Sequence, residues 1–330
     1  MSVKMYYDAD ADTELLREKK IAVIGYGNQG HAQAQNLREN GYSVIVSELF
    51  GTANYNRAIQ DGFKPLKAAD AAKQADIVHI LLPDGIQPAV YRTEIAAEMK
   101  AGKALVFSHG FNIHYRQILA PPDIDVYMVA PKGVGKQVRA QFIAGRGVPG
   151  LIAVYQDISG SAGKLALAHA CAIGCGRLGI IETSFAAETE ADLFGEQAVL
   201  CGGLSELVRA GFDTLVEAGF QPEIAYFECL HEVKLIADLI YERGIAGMRN
   251  AISDTAEYGD LTRGRRIIGL GVREEMKKVL TEIRKGNFAA EWIKENEKGR
   301  PLYKAIKEKD EAHLIEKIGA DLRQKMGFET

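Results

Sequence analysis

Ile21-Ala22-Val23-Ile24-Gly25-Tyr26-Gly27-Asn28-Gln29-Gly30-His31-Ala32 is the stretch on which the fold turns. Its first four residues are apolar without alternation, which reads as a strand covered on both faces. Three glycines then fit G-x-G-x-x-G, and Ala32, Ala34 and Leu37 carry the chain on as a helix. The glycine pattern alone is weak, but between a strand and a helix it becomes a dinucleotide-binding turn. The first glycine permits the tight turn, the second lets backbone approach a pyrophosphate, and the third lets helix pack on strand. The pyrophosphate then meets unpaired N–H groups at the positive helix end. The expected cofactor-binding residues here are Gly25, Tyr26, Gly27, Asn28, Gln29 and Gly30.

Outward from that turn, short apolar runs at residues 42–46, 77–82, 104–107, 126–129 and 151–155 alternate with helical stretches. Such alternation predicts βαβ units and a parallel sheet, an α/β Rossmann domain. After about Ile181 long helical periodicity takes over, at 193–207, 224–241 and 261–285, and residues 291–324 read as helices with solvated faces. The boundary is expected near Glu182, giving a dinucleotide-binding domain over 1–182 and an all-helical domain over 183–330. A length of 330 residues suits two domains, and 47% hydrophobic with 25% charged residues suits full cores. The net charge of -4 gives no electrostatic case for nucleic acid or a membrane surface. No apolar run reaches spanning length and residues 1–12 are polar and acidic, so a cytoplasmic protein is expected. Of the four cysteines, Cys171, Cys175, Cys201 and Cys229, the first two are spaced i,i+4 with no further metal ligand close in sequence, and small buried thiols are the reading.

Glu48 ends the second strand, eighteen residues after Gly30. A carboxylate there accepts the ribose 2′-OH of NAD and repels a 2′-phosphate. The loop over 49–55 offers neutral donors, Thr52 and Asn54, but no Lys or Arg, so NADH is favoured over NADPH. Ligands of open α/β sheets bind beyond the carboxyl ends of the strands. Asp84, Gly85, Ile86 and Gln87 leave the third strand and should line the cofactor, as should Gly135 after the fifth. His109 follows the fourth strand and Lys132 the fifth, and both should converge on the nicotinamide. A lone loop histidine is more often structural, but a place beside the cofactor cleft reverses that prior.

The helical part carries a sharper signal. Asp192 and Glu196 are spaced i,i+4, as are Glu228 and Glu232. Like charges at that spacing destabilise a helix. A solvated acidic face is the bland reading. Yet the first stripe continues into Val199, Leu200 and Gly203, the second into Leu235, Ile236 and Leu239. Both pairs are therefore expected to be partly buried, and buried carboxylates need partners. Oxygen donors on two helices suit Mg²⁺, and four carboxylates are enough for two ions. Lys132 and Lys234 are the rival partners, too few to neutralise all four.

With these segments in view, the chain resembles ketol-acid reductoisomerase, the acetohydroxyacid isomeroreductase of branched-chain amino-acid synthesis, in its short form (class I). The resemblance covers essentially the whole length. It rests on Tyr6-Tyr7-Asp8-Ala9-Asp10, the turn from Gly25 to His31, His109-Gly110-Phe111-Asn112-Ile113-His114, and Ala130-Pro131-Lys132-Gly133. It continues through Asp192-Leu193-Phe194-Gly195-Glu196-Gln197, Glu228-Cys229-Leu230-His231-Glu232, Gly247-Met248-Arg249 and Ser253-Asp254-Thr255-Ala256-Glu257-Tyr258-Gly259.

The resemblance implies a knotted helical domain and a Mg²⁺-dependent 1,2-alkyl shift of 2-acetolactate or 2-aceto-2-hydroxybutyrate. Reduction of the shifted acid by hydride from NAD(P)H follows, on the route to valine and isoleucine. It implies Asp192 bridging two Mg²⁺ ions, Glu196 on one of them, and Glu228 and Glu232 supplied to the second from a partner subunit. His109, Lys132 and Glu232 would be catalytic, Ser253 would contact the substrate carboxylate, and a homodimer would be the smallest active unit. Many relatives hold NADPH with a basic residue and serines in the loop after the second strand, where this chain has Leu49, Thr52 and Asn54. Val134 stands where proline is common, a departure that carries no functional reading. A metal-independent 3-hydroxyacid or imine reductase is the nearest rival and leaves the paired carboxylates unexplained. A non-catalytic NAD(H) sensor would not need His109, Lys132 and four aligned carboxylates.

Overall fold

Largely apolar, buried strands occupy the middle of an eight-stranded sheet. The computed structural model describes residues 3–328. The strands are β1 (Met5–Tyr6), β2 (Lys20–Ile24), β3 (Ser43–Ser47), β4 (Ile77–Ile80), β5 (Ala104–Phe107), β6 (Asp125–Pro131), β7 (Gly150–Gln156) and β8 (Ile180–Thr183). Their order is β1-β8-β7-β6-β5-β4-β2-β3. Between them run α1 (Asn28–Glu39), α2 (Ala53–Gln60), α3 (Ala68–Gln74), α4 (Gln87–Val90), α5 (Phe111–His114), α6 (Gly135–Ile143) and α7 (Ala162–Ala172). Alternate residues of each central strand enter opposite cores. Ile21, Val23, Val106 and Tyr127 pack with Leu37, Val138 and Ala166 on one face. Ala22, Ile24, Leu105 and Met128 pack with Ala71, Ile95 and Ile113 on the other.

The sheet departs from the expected all-parallel arrangement at two places. β7 runs antiparallel to β6, and β1 antiparallel to β8. A run that is apolar on both faces reads the same in either direction, so periodicity carries no information on strand polarity. β2 pairs in parallel with β3 on one side and β4 on the other. The chain thus leaves β2 toward one side and returns on the other, the switch point at which α/β sheets take ligands.

Two compact units divide the chain, Met1–Thr189 and Glu190–Thr330. The junction expected at 182/183 falls inside β8, and the division lies within the next helix, α8 (Phe185–Gly195). The second unit is helical: α9 (Gly202–Glu217), α10 (Pro222–Tyr226), α11 (Glu232–Arg249), α12 (Asp254–Gly259), α13 (Arg265–Ile267), α14 (Leu270–Arg284), α15 (Asn287–Glu297), α16 (Pro301–Glu311) and α17 (Leu314–Lys325). Single π-turns interrupt it at Glu196–Leu200, Phe227–His231 and Asp260–Gly264, and Gly244 (φ 70°) breaks α11. Its main core cluster of buried residues is small: Phe212, Ala225, Tyr226, Ile315 and Leu322. No described helix is long and apolar enough to cross a membrane.

Candidate active site

The glycine turn has the geometry of an anion cradle. Gly25 has φ +100°, a conformation that strains any L side chain. A Cβ on Gly30 would lie 1.9 Å from the carbonyl oxygen of Gly25, so only glycine lets α1 close onto the turn. At Gly27, by contrast, a Cβ would meet no atom within 4 Å, and no side chain caps the helix that starts at Asn28. Open space in front of a helix N-terminus fits a pyrophosphate.

A cavity of about 540 Å³ opens beside this turn, at the carboxyl edge of β2 and β3. Gly25, Glu48, Leu49, Thr52 and Ile86 line it, with Lys67 and Glu94 completing its charged wall. Glu48 accepts the Tyr26 N–H at 2.7 Å on Oε2 and the Leu49 N–H at 2.9 Å on Oε1. The carboxylate therefore ties the second strand to the glycine turn and stands on the cavity wall. Thr52 caps α2, accepting the Tyr55 N–H at 3.1 Å while donating to the Leu49 carbonyl at 2.9 Å. Asn54 is exposed on α2, outside the lining. Of the loop after β4, Ile86 faces the cavity, whereas Gln87 is buried and donates to the Leu82 carbonyl at 2.7 Å. Asn112 braces the same loop, donating to the Asp84 carbonyl at 3.1 Å, and Gly85 is exposed. Gly135 begins α6, where a Cβ would sit 1.8 Å from the Asn28 carbonyl oxygen. Sequence reasoning missed Lys67 and Glu94; Leu66 is drawn in by a single bridge to Ser47, which no local pattern announces.

Glu188 brings His109 and Lys132 together. Lys132 Nζ donates to its Oε1 at 2.8 Å, and His109 Nδ1 lies 3.2 Å from its Oε2. The carboxylate side chain is 1% exposed. Burial raises its pKa, but hydrogen bonds and charge from His109 and Lys132 outweigh that and hold it below the ordinary value. Gly110 makes the approach possible: a Cβ there would lie 2.3 Å from Thr189 Oγ1. Glu188 was missed in the sequence reading. Its signal was present, one helical turn before Asp192, in a stripe 188, 192, 196.

The carboxylates of the helical unit correct an expectation. Asp192 is half-buried, but Glu196, Glu228 and Glu232 are exposed. The apolar stripes meant to cover them are open as well: Val199 is 50%, Leu200 68% and Leu235 54% exposed. Ile236 and Leu239 are half-buried, so among the described residues the stripes are covered only in part, and periodicity identified faces whose full cover it could not locate. The rival lysine partners are engaged elsewhere, Lys132 with Glu188 and Lys234 with Asp238. Ser253 is exposed and caps α12, its Oγ accepting the Ala256 N–H at 3.3 Å.

Two family matches divide the chain as the fold does. Residues 15–179 match the NADPH-binding domain of acetohydroxy acid isomeroreductase, and residues 185–328 match the C-terminal domain of ketol-acid reductoisomerase. The chain belongs to the ketol-acid reductoisomerase family. It is accordingly an oxidoreductase with an N-terminal Rossmann domain and a helical C-terminal domain. A solved structure of an NADH-preferring ketol-acid reductoisomerase from an uncultured archaeon is 49% identical, covers 97% of this chain and 98% of its own, and superposes with a TM-score of 0.95. More distant structures share only the fold. An NAD-binding semialdehyde dehydrogenase protein from Cupriavidus necator is 18% identical over 79% of this chain and 99% of its own, TM-score 0.55. The pyrroline carboxylate reductase of Plasmodium falciparum is 13% identical over 82% and 98%, TM-score 0.51.

Proposed function

We propose that this ketol-acid reductoisomerase converts 2-acetolactate and 2-aceto-2-hydroxybutyrate to 2,3-dihydroxy acids by a Mg²⁺-dependent alkyl shift and a hydride reduction, with NADH as the preferred reductant. The observation that carries the reading is the His109–Glu188–Lys132 constellation on the sheet edge that also bears the glycine turn. Residues 1–182 would hold the dinucleotide, and residues 183–330 the metal, the substrate and the dimer contact.

Lys132, whose ammonium donates to Glu188, is a cationic donor of the type that orients substrate oxygens. His109 presents Nδ1 to Glu188, which fixes the orientation of an imidazole suited to proton transfer. Asp192, Glu196, Glu228 and Glu232 supply only oxygen donors, the donor type Mg²⁺ selects. Two such ions would supply Lewis-acid polarisation of the substrate's oxygens. Glu232 would also handle a proton there. Three of these four side chains are exposed in a single copy, which supports a site completed by a second copy through Glu228 and Glu232. Ser253, accepting a backbone N–H as cap, retains its hydroxyl proton for the substrate carboxylate.

For the dinucleotide, Glu48 and Glu94 outnumber Lys67 on the cavity wall, which disfavours a 2′-phosphate. The matched domain is named for NADPH, whereas the 49% identical relative is described as NADH-preferring. We weight the relative, because a domain name spans a whole family and the cavity wall belongs to this chain. Oxidation of NADH and NADPH with 2-acetolactate and Mg²⁺, repeated after EDTA, tests the whole reading. Metal-dependent turnover favouring NADH is expected. NADPH preference would remove the role given to Glu48. Turnover that survives EDTA would point to a metal-independent reductase instead.

A further inference from the structure

Under the two loops that carry His109 and Lys132, α1 sends two glutamine side chains into the sheet. Gln29 and Gln33 lie one turn apart on one face of that helix. Gln29 Nε2 donates to the Gly133 carbonyl at 2.9 Å. Gln33, fully buried, donates from Nε2 to Gln29 Oε1 at 3.1 Å and to Ser108 Oγ at 3.0 Å. Ser108 Oγ lies 3.1 Å from Nε2 of the fully buried His79.

The direction of each bond the amides make follows from one end. A carbonyl only accepts, so Gln29 must turn its amide nitrogen to Gly133 and its oxygen to Gln33. Gln33 must then present its nitrogen, and its two N–H groups serve Gln29 and Ser108. Ser108 accepts from Gln33 and hydrogen-bonds His79 Nε2 in the direction that the imidazole tautomer sets. Burial and the neighbouring His169 push the pKa of His79 far down, so its ring is neutral. No alternative orientation of either amide satisfies both ends.

Gly133 follows Lys132 in the chain and Ser108 precedes His109. We propose that Gln29, Gln33 and Ser108 form a positioning strut that sets the spacing of the Lys132 and His109 loops on Glu188. The same strut ties both loops to the helix whose first turn faces the dinucleotide. The three residues are positioning residues and touch neither substrate nor hydride. Their effect comes from geometry, since misplacement of a reacting group by about 1 Å can lower rates on the order of a hundredfold.

Two arms test this with Gln29→Met, Gln33→Met and the double variant. Methionine keeps length and volume and removes the hydrogen bonds. In ligand-free protein, amide hydrogen exchange at residues 108–110 and 132–135 should rise about tenfold in each variant, while the strands at 77–80 and 104–107 stay as protected as in the parent. Ordinary loss of stability would raise exchange across all of them. In the second arm, which rests on the proposed reaction, kcat with 2-acetolactate should fall tenfold or more in each variant, with the NADH Kd of Gln33→Met, whose parent side chain is fully buried, within about twofold. The double variant should be little worse than either single one, because both cut one chain of bonds. Unchanged loop exchange, or a kcat within twofold of the parent in a folded variant, overturns the strut. Parent enzyme that exchanges as expected but turns over no 2-acetolactate would instead sink the reaction and leave the strut standing. Should Gln33→Met not fold, half-buried Gln29→Met carries both arms alone.

Discussion

Burying a carboxylate as deeply as Glu188 is unfavourable unless its charge is matched, and here two donors match it. The opposite solution operates within the sheet domain, where His79 and His169 are fully buried with their rings 5.0 Å apart. Neither has a carboxylate partner among the described residues. His169 hydrogen-bonds the Tyr127 hydroxyl at 3.2 Å, and burial pushes its pKa down to about 4. A histidine neutral in the fold but protonated in the unfolded chain makes the unfolded state bind more protons, so stability falls as pH falls. The window opens at the unfolded value near 6.5 and closes at about 4. His169 alone should lower unfolding free energy by about 2 kcal/mol between pH 7 and pH 5, with His79 adding in the same direction. Urea unfolding at the two pH values measures it. His169→Gln, which keeps a polar partner for Tyr127, should flatten the dependence; an equal slope in that variant would assign the acid sensitivity elsewhere.

At the scale of elements, the glycine turn divides into positions that serve the fold and positions that serve a ligand. Gly30 abuts the Gly25 carbonyl, whereas space beside Gly27 is open and its φ of -75° suits alanine. Gly30→Ala should therefore destabilise the domain by at least the 1–3 kcal/mol typical of overpacking, roughly estimated. Gly27→Ala should melt at the parent temperature yet lose NADH binding, readable by fluorescence titration beside a thermal scan. An unstable Gly27→Ala, or one that binds NADH normally, would contradict that division. This turn and the central strands were legible from sequence because their signals are local: glycine spacing, uninterrupted apolar runs, helical periodicity. The two-residue β1, the polarity of β7 and the approach of Lys67 to the cavity were not, since each depends on a partner distant in the chain. Glu188 fell between these cases. Its spacing from Asp192 was visible, but its contact with His109 and Lys132 depends on α8 packing against Gly110, which no local signal encodes. The π-turns at Glu196 and Glu228 were equally hidden, because an inserted residue leaves the apolar pattern nearly unchanged.

For the whole molecule, the contrast between the two units sets the expectation for assembly. The sheet domain fills a core on each face, but the helical unit buries few residues fully and leaves large apolar side chains open. Leu200 is 68%, Tyr241 85% and Leu270 80% exposed. Large apolar side chains open to water are the material of an interaction surface where they adjoin, and the exposed Glu196, Glu228 and Glu232 lie on the same unit. A second copy of this chain would cover the apolar faces and complete the carboxylate set in one step. Tyr241→Asp with Leu270→Asp should accordingly be nearly neutral for an isolated chain, where both side chains already face water. In an assembly it should shift sedimentation from dimer or larger to monomer, leave NADH binding at the glycine turn within about twofold, and abolish metal-dependent turnover of 2-acetolactate. A double variant that sediments as monomer and keeps full turnover would establish that one copy holds a complete site. Loss of NADH binding together with assembly would show instead that the helical unit supports the fold of the sheet domain.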